Sequence, residues 1–220
     1  MSIFILNKSE ELVNVIPISR TKGCSVDLIT VRKAHVAITN PLTVILKSLP
    51  DHVRTHSNRS AVIAKMLAGQ AENLPDGMDR QTFAHTVWLG CLYHHLGEQV
   101  LKENLSSANF YGDIDENMLL SIVSHYCERF DGSGPNNLCG NQIPLATRLV
   151  GLADVLDNTL IMNKGNATQE NVPMCERIQK TAQYIQENGA ALFGNDAMTC
   201  FKQIQEEIFN LYLNQYKRTR

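Results

Sequence analysis

Residues 143–162 read "IPLATRLVGLADVLDNTLIM", and the fold turns on how this stretch is placed. It reads as a helix with Pro144 in its first turn, where the missing N–H does no harm. Most of its residues are of the kind that go inside. Within "LVGLADVLDN" (149–158) Asp154 lies among such neighbours, and an unpaired carboxylate in these surroundings is costly. Asp154 therefore needs a cation, a set of hydrogen-bond donors, or a metal. The plainer alternative is a side chain turned to the edge of a bundle and hydrogen-bonded there.

Working outward, the neighbouring segments are also helical. "DENMLLSIVSHYCERF" (115–130) is amphipathic and runs into the glycine-rich "DGSGPNNLCGN" (131–141). "DRQTFAHTVWLGCLYHH" (79–95) opens on an acid and is apolar almost all round, the mark of a central helix. "PDHVRTHSNRSAVIAKMLAGQAENL" (50–74) places Val53, Ile63, Met66 and Leu67 on one face, and "ENLPDG" stops it. Beyond a loop at 163–172, two further helices are predicted over 172–189 and 195–217. Residues 46–220 thus form an all-α bundle. Residues 1–45 differ: "ELVNVIPI" (11–18) and "CSVDLITV" (24–31) alternate apolar and polar positions around a Thr-Lys-Gly turn. That alternation predicts a small β-rich N-terminal segment. The fold class is mainly α, with this segment attached.

Composition sets outer bounds. Of 220 residues, 44% are hydrophobic and 19% charged, and the net charge is −2, as in an ordinary soluble domain. No basic footprint for duplex nucleic acid is present, and no apolar run reaches membrane-spanning length. "MSIFIL" lacks the basic region and cleavage site of a signal peptide. The six cysteines are scattered without a C-x-x-C pair, so reduced thiols in the cytoplasm are expected.

Five histidines bear on chemistry. His52 and His56 are four apart and share a helix face, so both can reach one metal, or both can be solvated. His94 and His95 close the central helix. Adjacent helical residues point apart, so both can ligate only where the backbone leaves the helix, which the following Leu-Gly permits. His125 adds another imidazole, and Glu128 and Asp131 add carboxylates. Such donors spread over several helices suit a divalent metal of borderline or hard character. His85 and His35 have no evident partner and read as structural.

The ordered series His56, "LYHHLGE" (92–98) and "ERFDGSGPNNLCGNQIPLATRLVGLADVLD" (128–157) resembles the HD superfamily of metal-dependent phosphohydrolases. More narrowly it is similar to the HD-GYP branch, whose members hydrolyse cyclic di-GMP. There a helix-borne His precedes L-H-D-I-G-K, then H-H-E-R-W-D-G-S-G-Y-P, then I-P-L-A-R-I and A-D-V-F-D. The likeness covers about residues 50–160. It implies an HD-domain helical bundle in which His56, His94 and Asp154 bind metal, with His95 and His125 as further candidates. It also implies contacts from Arg129, Asp131 and Arg148 to a phosphoester. The cofactor would be one divalent transition metal, Fe, Mn, Zn or Ni. The partner would be a cyclic dinucleotide or another phosphoester, or a signalling protein.

The departures are as informative. His95 stands where the family has Asp. A carboxylate can bridge two metals with two oxygens, whereas a neutral imidazole offers one free lone pair. Glu98 replaces the Lys of the G-K element, putting an anion where a phosphate would meet a cation. Tyr126 and Cys127 take the places of consecutive histidines, and the Tyr of G-Y-P is missing before Pro135. Two expectations follow: a divergent phosphohydrolase working with one ion and impaired catalysis, or an inactive nucleotide-sensing or protein-interaction module.

Overall fold

The computed structural model describes residues 40–162 and 172–218, together with two short strands nearer the N-terminus. The chain divides into two compact units, Met1–Ile38 and Thr39–Arg220. In the first, β1 (Ile5–Leu6) and β2 (Leu12–Val13) pair antiparallel, with Ile5 opposite Val13 and Leu6 opposite Leu12. The strand predicted over 24–31 lies outside the described residues.

The second unit is mainly helical. It comprises α1 (Pro41–Ser48), α2 (Asp51–Gly69), α3 (Arg80–Tyr93), α4 (Glu98–Leu105), α5 (Glu116–His125), α6 (Leu145–Asp157) and α7 (Met174–Arg218). Helix α1 crosses the boundary that the alternating pattern places at residue 45. Its local chemistry explains why. The Asn40 side chain accepts the Leu42 N–H at 3.0 Å and Pro41 opens the helix, so cap and proline outweigh the β-branched Thr43-Val44-Ile45. Leu42 and Leu46, four apart, bury one face.

Helix α2 packs mainly on α3 and α6, and α3 also meets α5 and α6. Ile63 and Leu67 of α2, Phe83 and Val87 of α3, and Leu149, Leu152 and Leu156 of α6 are fully buried in this seam. Asp79 starts α3, its carboxylate accepting the N–H groups of Gln81 and Thr82 at 2.8 and 3.0 Å. Helix α6 lies hard against the end of α5 at Gly151, where a Cβ would come within 2.7 Å of the Tyr126 carbonyl oxygen. Among the described residues no helix is long and apolar enough to cross a membrane.

Two predicted boundaries move. Helix α5 stops at His125 instead of continuing to Phe130. The Glu128 carboxylate turns inward and accepts from Asn136 N at 2.9 Å, Asn136 Nδ2 at 2.8 Å and Leu138 N at 3.2 Å. A buried acid paying for its desolvation with three donors orders the 131–141 loop at the expense of one more helical turn. The first C-terminal helix runs past its expected end at Gly189, and the break falls at Gly194, with φ +82°, inside the gap left between residues 189 and 195. There the Leu192 carbonyl accepts from Phe130 N at 2.9 Å and the Phe193 carbonyl from Arg148 Nη1 at 3.0 Å. Gly189 serves close packing: a Cβ on it would stand 2.5 Å from Met198 Sδ.

Candidate metal centre

The three helices of the central seam each bring a polar group to one place. Helix α2 carries His56, 0% exposed, in its second turn. Helix α3 ends at Tyr93, and His94–Leu96 wind into a tighter 3-10 turn that Gly97 closes at φ +82°. In an α-helix consecutive side chains diverge by about 100°. Where the α-helix gives way, the rings of His94 and His95 nevertheless stand 3.9 Å apart between centroids. Helix α6 supplies Asp154, whose side chain is 13% exposed.

These four side chains converge. One ligand atom from each of His56, His94, His95 and Asp154 lies within 4.8 Å of all the others. Opposite ligands of an ion bound at ~2.1 Å stand about 4.2 Å apart, so only a small contraction is required. His56 Nε2 is 2.9 Å from Asp154 Oδ1, and His94 Nε2 is 3.5 Å from the same oxygen. His95 is the exposed member of the group.

The second nitrogen of each buried imidazole is already engaged. His94 Nδ1 makes a short hydrogen bond to the Cys91 carbonyl, which only an Nδ1–H can donate. That tautomer leaves a bare lone pair on Nε2, which is buried and has no hydrogen-bond partner. Two acceptors, Nε2 and a carboxylate oxygen, thus face each other at 3.5 Å, an arrangement that a cation between them relieves. The donor set therefore fits a divalent metal on the evidence of its own orphaned atom.

His56 Nδ1 is 2.6 Å from Asp157 Oδ2. Asp157, 0% exposed, also accepts from Arg59 Nε at 2.7 Å, Arg59 Nη2 at 2.8 Å and the Tyr212 hydroxyl at 2.6 Å. A carboxylate behind a ligating histidine fixes its tautomer and orientation. Burial opposes the charge of His56, but Asp154 and Asp157 on its two nitrogens prevail and raise its pKa to about 9. In the metal-free protein the imidazolium is the cation that Asp154 requires. Both carboxyls stay below the usual range: burial pushes them up, and this is outweighed at Asp154 by the His56 imidazolium, and at Asp157 by His56, Arg59 and Tyr212. His95 shifts the other way, to about 4, through burial and then the neighbouring rings of His94 and His56. It is neutral at any ordinary pH.

Sequence reasoning did not single out Asp157, Arg59, Tyr212 or Asn158, whose Nδ2 donates to Asp154 Oδ1 at 3.0 Å. One signal was available: Arg59 follows His56 by three residues and Asp157 follows Asp154 by three, so each pair shares a helix face.

Other candidates lie elsewhere. His52 is exposed and takes no part in the cluster. His125 is outside it too, its Nδ1 3.0 Å from the Ser121 carbonyl at the end of α5. His85 stacks on Trp88 at 5.8 Å, and His35 is outside the described residues. Arg129 donates to the carbonyls of Glu128 at 2.9 Å and Tyr126 at 3.3 Å. Asp131 accepts the Ser133 N–H at 2.9 Å in the exposed loop. Arg148 is buried and committed to the fold: it binds the carbonyls of Ile143 and Phe193 and both carboxylate oxygens of Asp196. Its guanidinium is not presented to a phosphoester. Glu98 pairs with Lys102, one turn along α4.

The chain matches no family model, no curated protein and no solved structure.

Proposed function

We propose that this chain is a divergent HD-type domain, of the HD-GYP kind, which holds one divalent transition metal and takes a phosphoester at that ion. The observation that carries this reading is the buried His94 Nε2, left bare by its Nδ1 contact to Cys91 and aimed at Asp154. Three neutral imidazoles and one carboxylate suit Fe, Mn, Zn or Ni. A bound ion would supply Lewis acidity and an activated water for hydrolysis of the ester. His56, His94 and Asp154 hold the ion from inside, and His95 closes the set from the exposed side. Asp157, Arg59 and Tyr212 orient His56.

One ion is the expected number. His95 replaces a carboxylate able to bridge two metals, and His125, Tyr126 and Cys127 assemble no second set of ligands beside the first. Turnover without the second ion should be slow, since the two-metal clamp stabilises both oxygens of the displacement. The pairing of Glu98 with Lys102 favours a second reading, a nucleotide-sensing domain without turnover, because no cation is directed from that element toward a phosphate.

Elemental analysis of untagged protein, joined to hydrolysis of bis(p-nitrophenyl) phosphate, tests these readings. About one ion per chain is expected, with metal and hydrolysis both lost in His94→Asn. Metal without turnover selects the sensing domain. Folded protein from metal-replete cells that carries no ion refutes the metal-dependent reading; a nucleotide that raises the melting temperature without being consumed is expected of the sensing domain.

A further inference from the structure

Tyr126 stands beside the candidate centre, its ring half-buried against the core and its hydroxyl assigned no part in the metal-binding reading. It follows the last residue of α5, and its half-buried ring meets His94 edge to face, with centroids 4.7 Å apart at 75°. It approaches the exposed His95 in the same manner, at 6.3 Å and 82°. Its backbone is pinned. The Tyr126 N–H donates to the Ile122 carbonyl at 2.9 Å, and its own carbonyl accepts from Arg129 at 3.3 Å. That carbonyl also abuts Gly151, one turn before Asp154 on α6, in a space no other residue type leaves open. The ring is thus held against the buried His94 and, farther off, the exposed His95.

We infer that the Tyr126 hydroxyl is a positioning group for this site, donating a hydrogen bond to an oxyanion that occupies the open coordination position of the ion. The inference rests on the metal-binding reading above and deepens it by naming the ligand class, a phosphate oxyanion. Charge points the same way. Three neutral imidazoles and one carboxylate around a divalent ion leave one positive charge in excess, and the nearby Asp157 is matched by Arg59. An anion completes such a site, and a neutral phenol, an O–H donor at any ordinary pH, suits its oxygen. A family histidine at this place would compete for a metal; the tyrosine instead offers a donor.

The test compares the full chain with Tyr126→Phe, which keeps the ring against His94 and His95. Both are loaded with Co2+ and titrated with inorganic phosphate, and the cobalt visible spectrum is followed. Equal cobalt uptake and the same phosphate-free spectrum are expected in the two proteins, with phosphate bound about tenfold more weakly by Tyr126→Phe, the loss of one hydrogen bond to a charged group. Equal phosphate affinity overturns the inference and leaves the metal centre standing, as does a parent protein that takes cobalt but no phosphate. A changed cobalt spectrum or lost uptake in Tyr126→Phe overturns it by placing the hydroxyl in the scaffold of the ion. Failure of the parent to take cobalt overturns the metal reading itself.

Discussion

Asp157→Asn tests how the protein holds His56, because the exchange keeps the shape and removes the charge. Asp157 accepts four hydrogen bonds: Arg59 Nε and Tyr212 on Oδ1, Arg59 Nη2 and His56 Nδ1 on Oδ2. An asparagine has one acceptor oxygen. Whichever way it turns, one pair of donors meets an NH2 group, and Arg59 loses its counter-charge. Each hydrogen bond to a charged group contributes about 1.5–3 kcal/mol. Breaking a buried ion pair costs about 3–5 kcal/mol. Since Arg59 is 19% exposed and water can reach it, the lower half of that range applies. At ~2–4 °C per kcal/mol for a domain of this size, the metal-free protein should melt about 6–15 °C lower. The second consequence is chemical. In the orientation that turns the NH2 group to Nδ1, the preferred His56 tautomer carries its proton on Nε2, the nitrogen that faces Asp154 and must be bare to ligate; in the other, the neutral amide holds the Nδ1 proton less firmly than the carboxylate does. Metal affinity should then fall at least 10–100-fold, as for loss of an outer partner of a ligating histidine. Thermal melts in chelator and competition for Zn2+ against a chromophoric chelator read the two effects separately. Should Asp157→Asn destabilise the fold too far to be handled, Tyr212→Phe is the milder variant, with the same direction in both assays. Unchanged melting and unchanged Zn2+ affinity in either variant would refute the argument that this network sets the His56 tautomer.

Further outcomes are expected. In chelated protein the folded pKa of His56, about 9, lies above its ordinary value of 6.5, so its stabilisation is complete below pH 6.5 and is lost as pH rises to 9. Melting temperatures should decline across that window, and a flat profile from pH 6.5 to 9 would contradict the pairing with Asp154 and Asp157. Gly151→Ala drives a Cβ to 2.7 Å from the Tyr126 carbonyl and should destabilise by about 1–3 kcal/mol, read by urea unfolding; a neutral effect means α5 and α6 are not in contact there. His95→Asp with Glu98→Lys restores a bridging carboxylate and a free cation. Metal content should rise above that of the parent, and an unaltered ion count removes the equivalence drawn between "LYHHLGE" and the family element.

The reach of the sequence ended where short-range periodicity ends. Helices α2, α3, α5 and α6 were legible because apolar spacing and caps such as Asp79 act within a few residues. Asp154 stood out because a carboxylate among buried neighbours demands a partner. The bend at His94-His95 was legible as a condition: two adjacent histidines can share a site only if the helix stops, and it does. Other features depended on contacts across the chain. The Asn40 cap was hidden by a β-branched run, and the run of α7 past Gly189 to its break at Gly194 goes with Phe130 and Arg148 reaching the carbonyls of Leu192 and Phe193. No local pattern says that an inward Glu128 will end α5.

The residue types at the centre were therefore set by the sequence alone: histidines on two helices and an acid on a third. Their meeting was not. His56 lies 98 residues from Asp154 and 101 from Asp157, and Tyr212 reaches Asp157 across 55. Periodicity states which face of a helix is buried, but the angle and depth at which two faces cross are decided by side chains packed from distant parts of the chain. Only that packing brings the bare nitrogen of His94 to Asp154 and places Arg59 and Tyr212 behind His56.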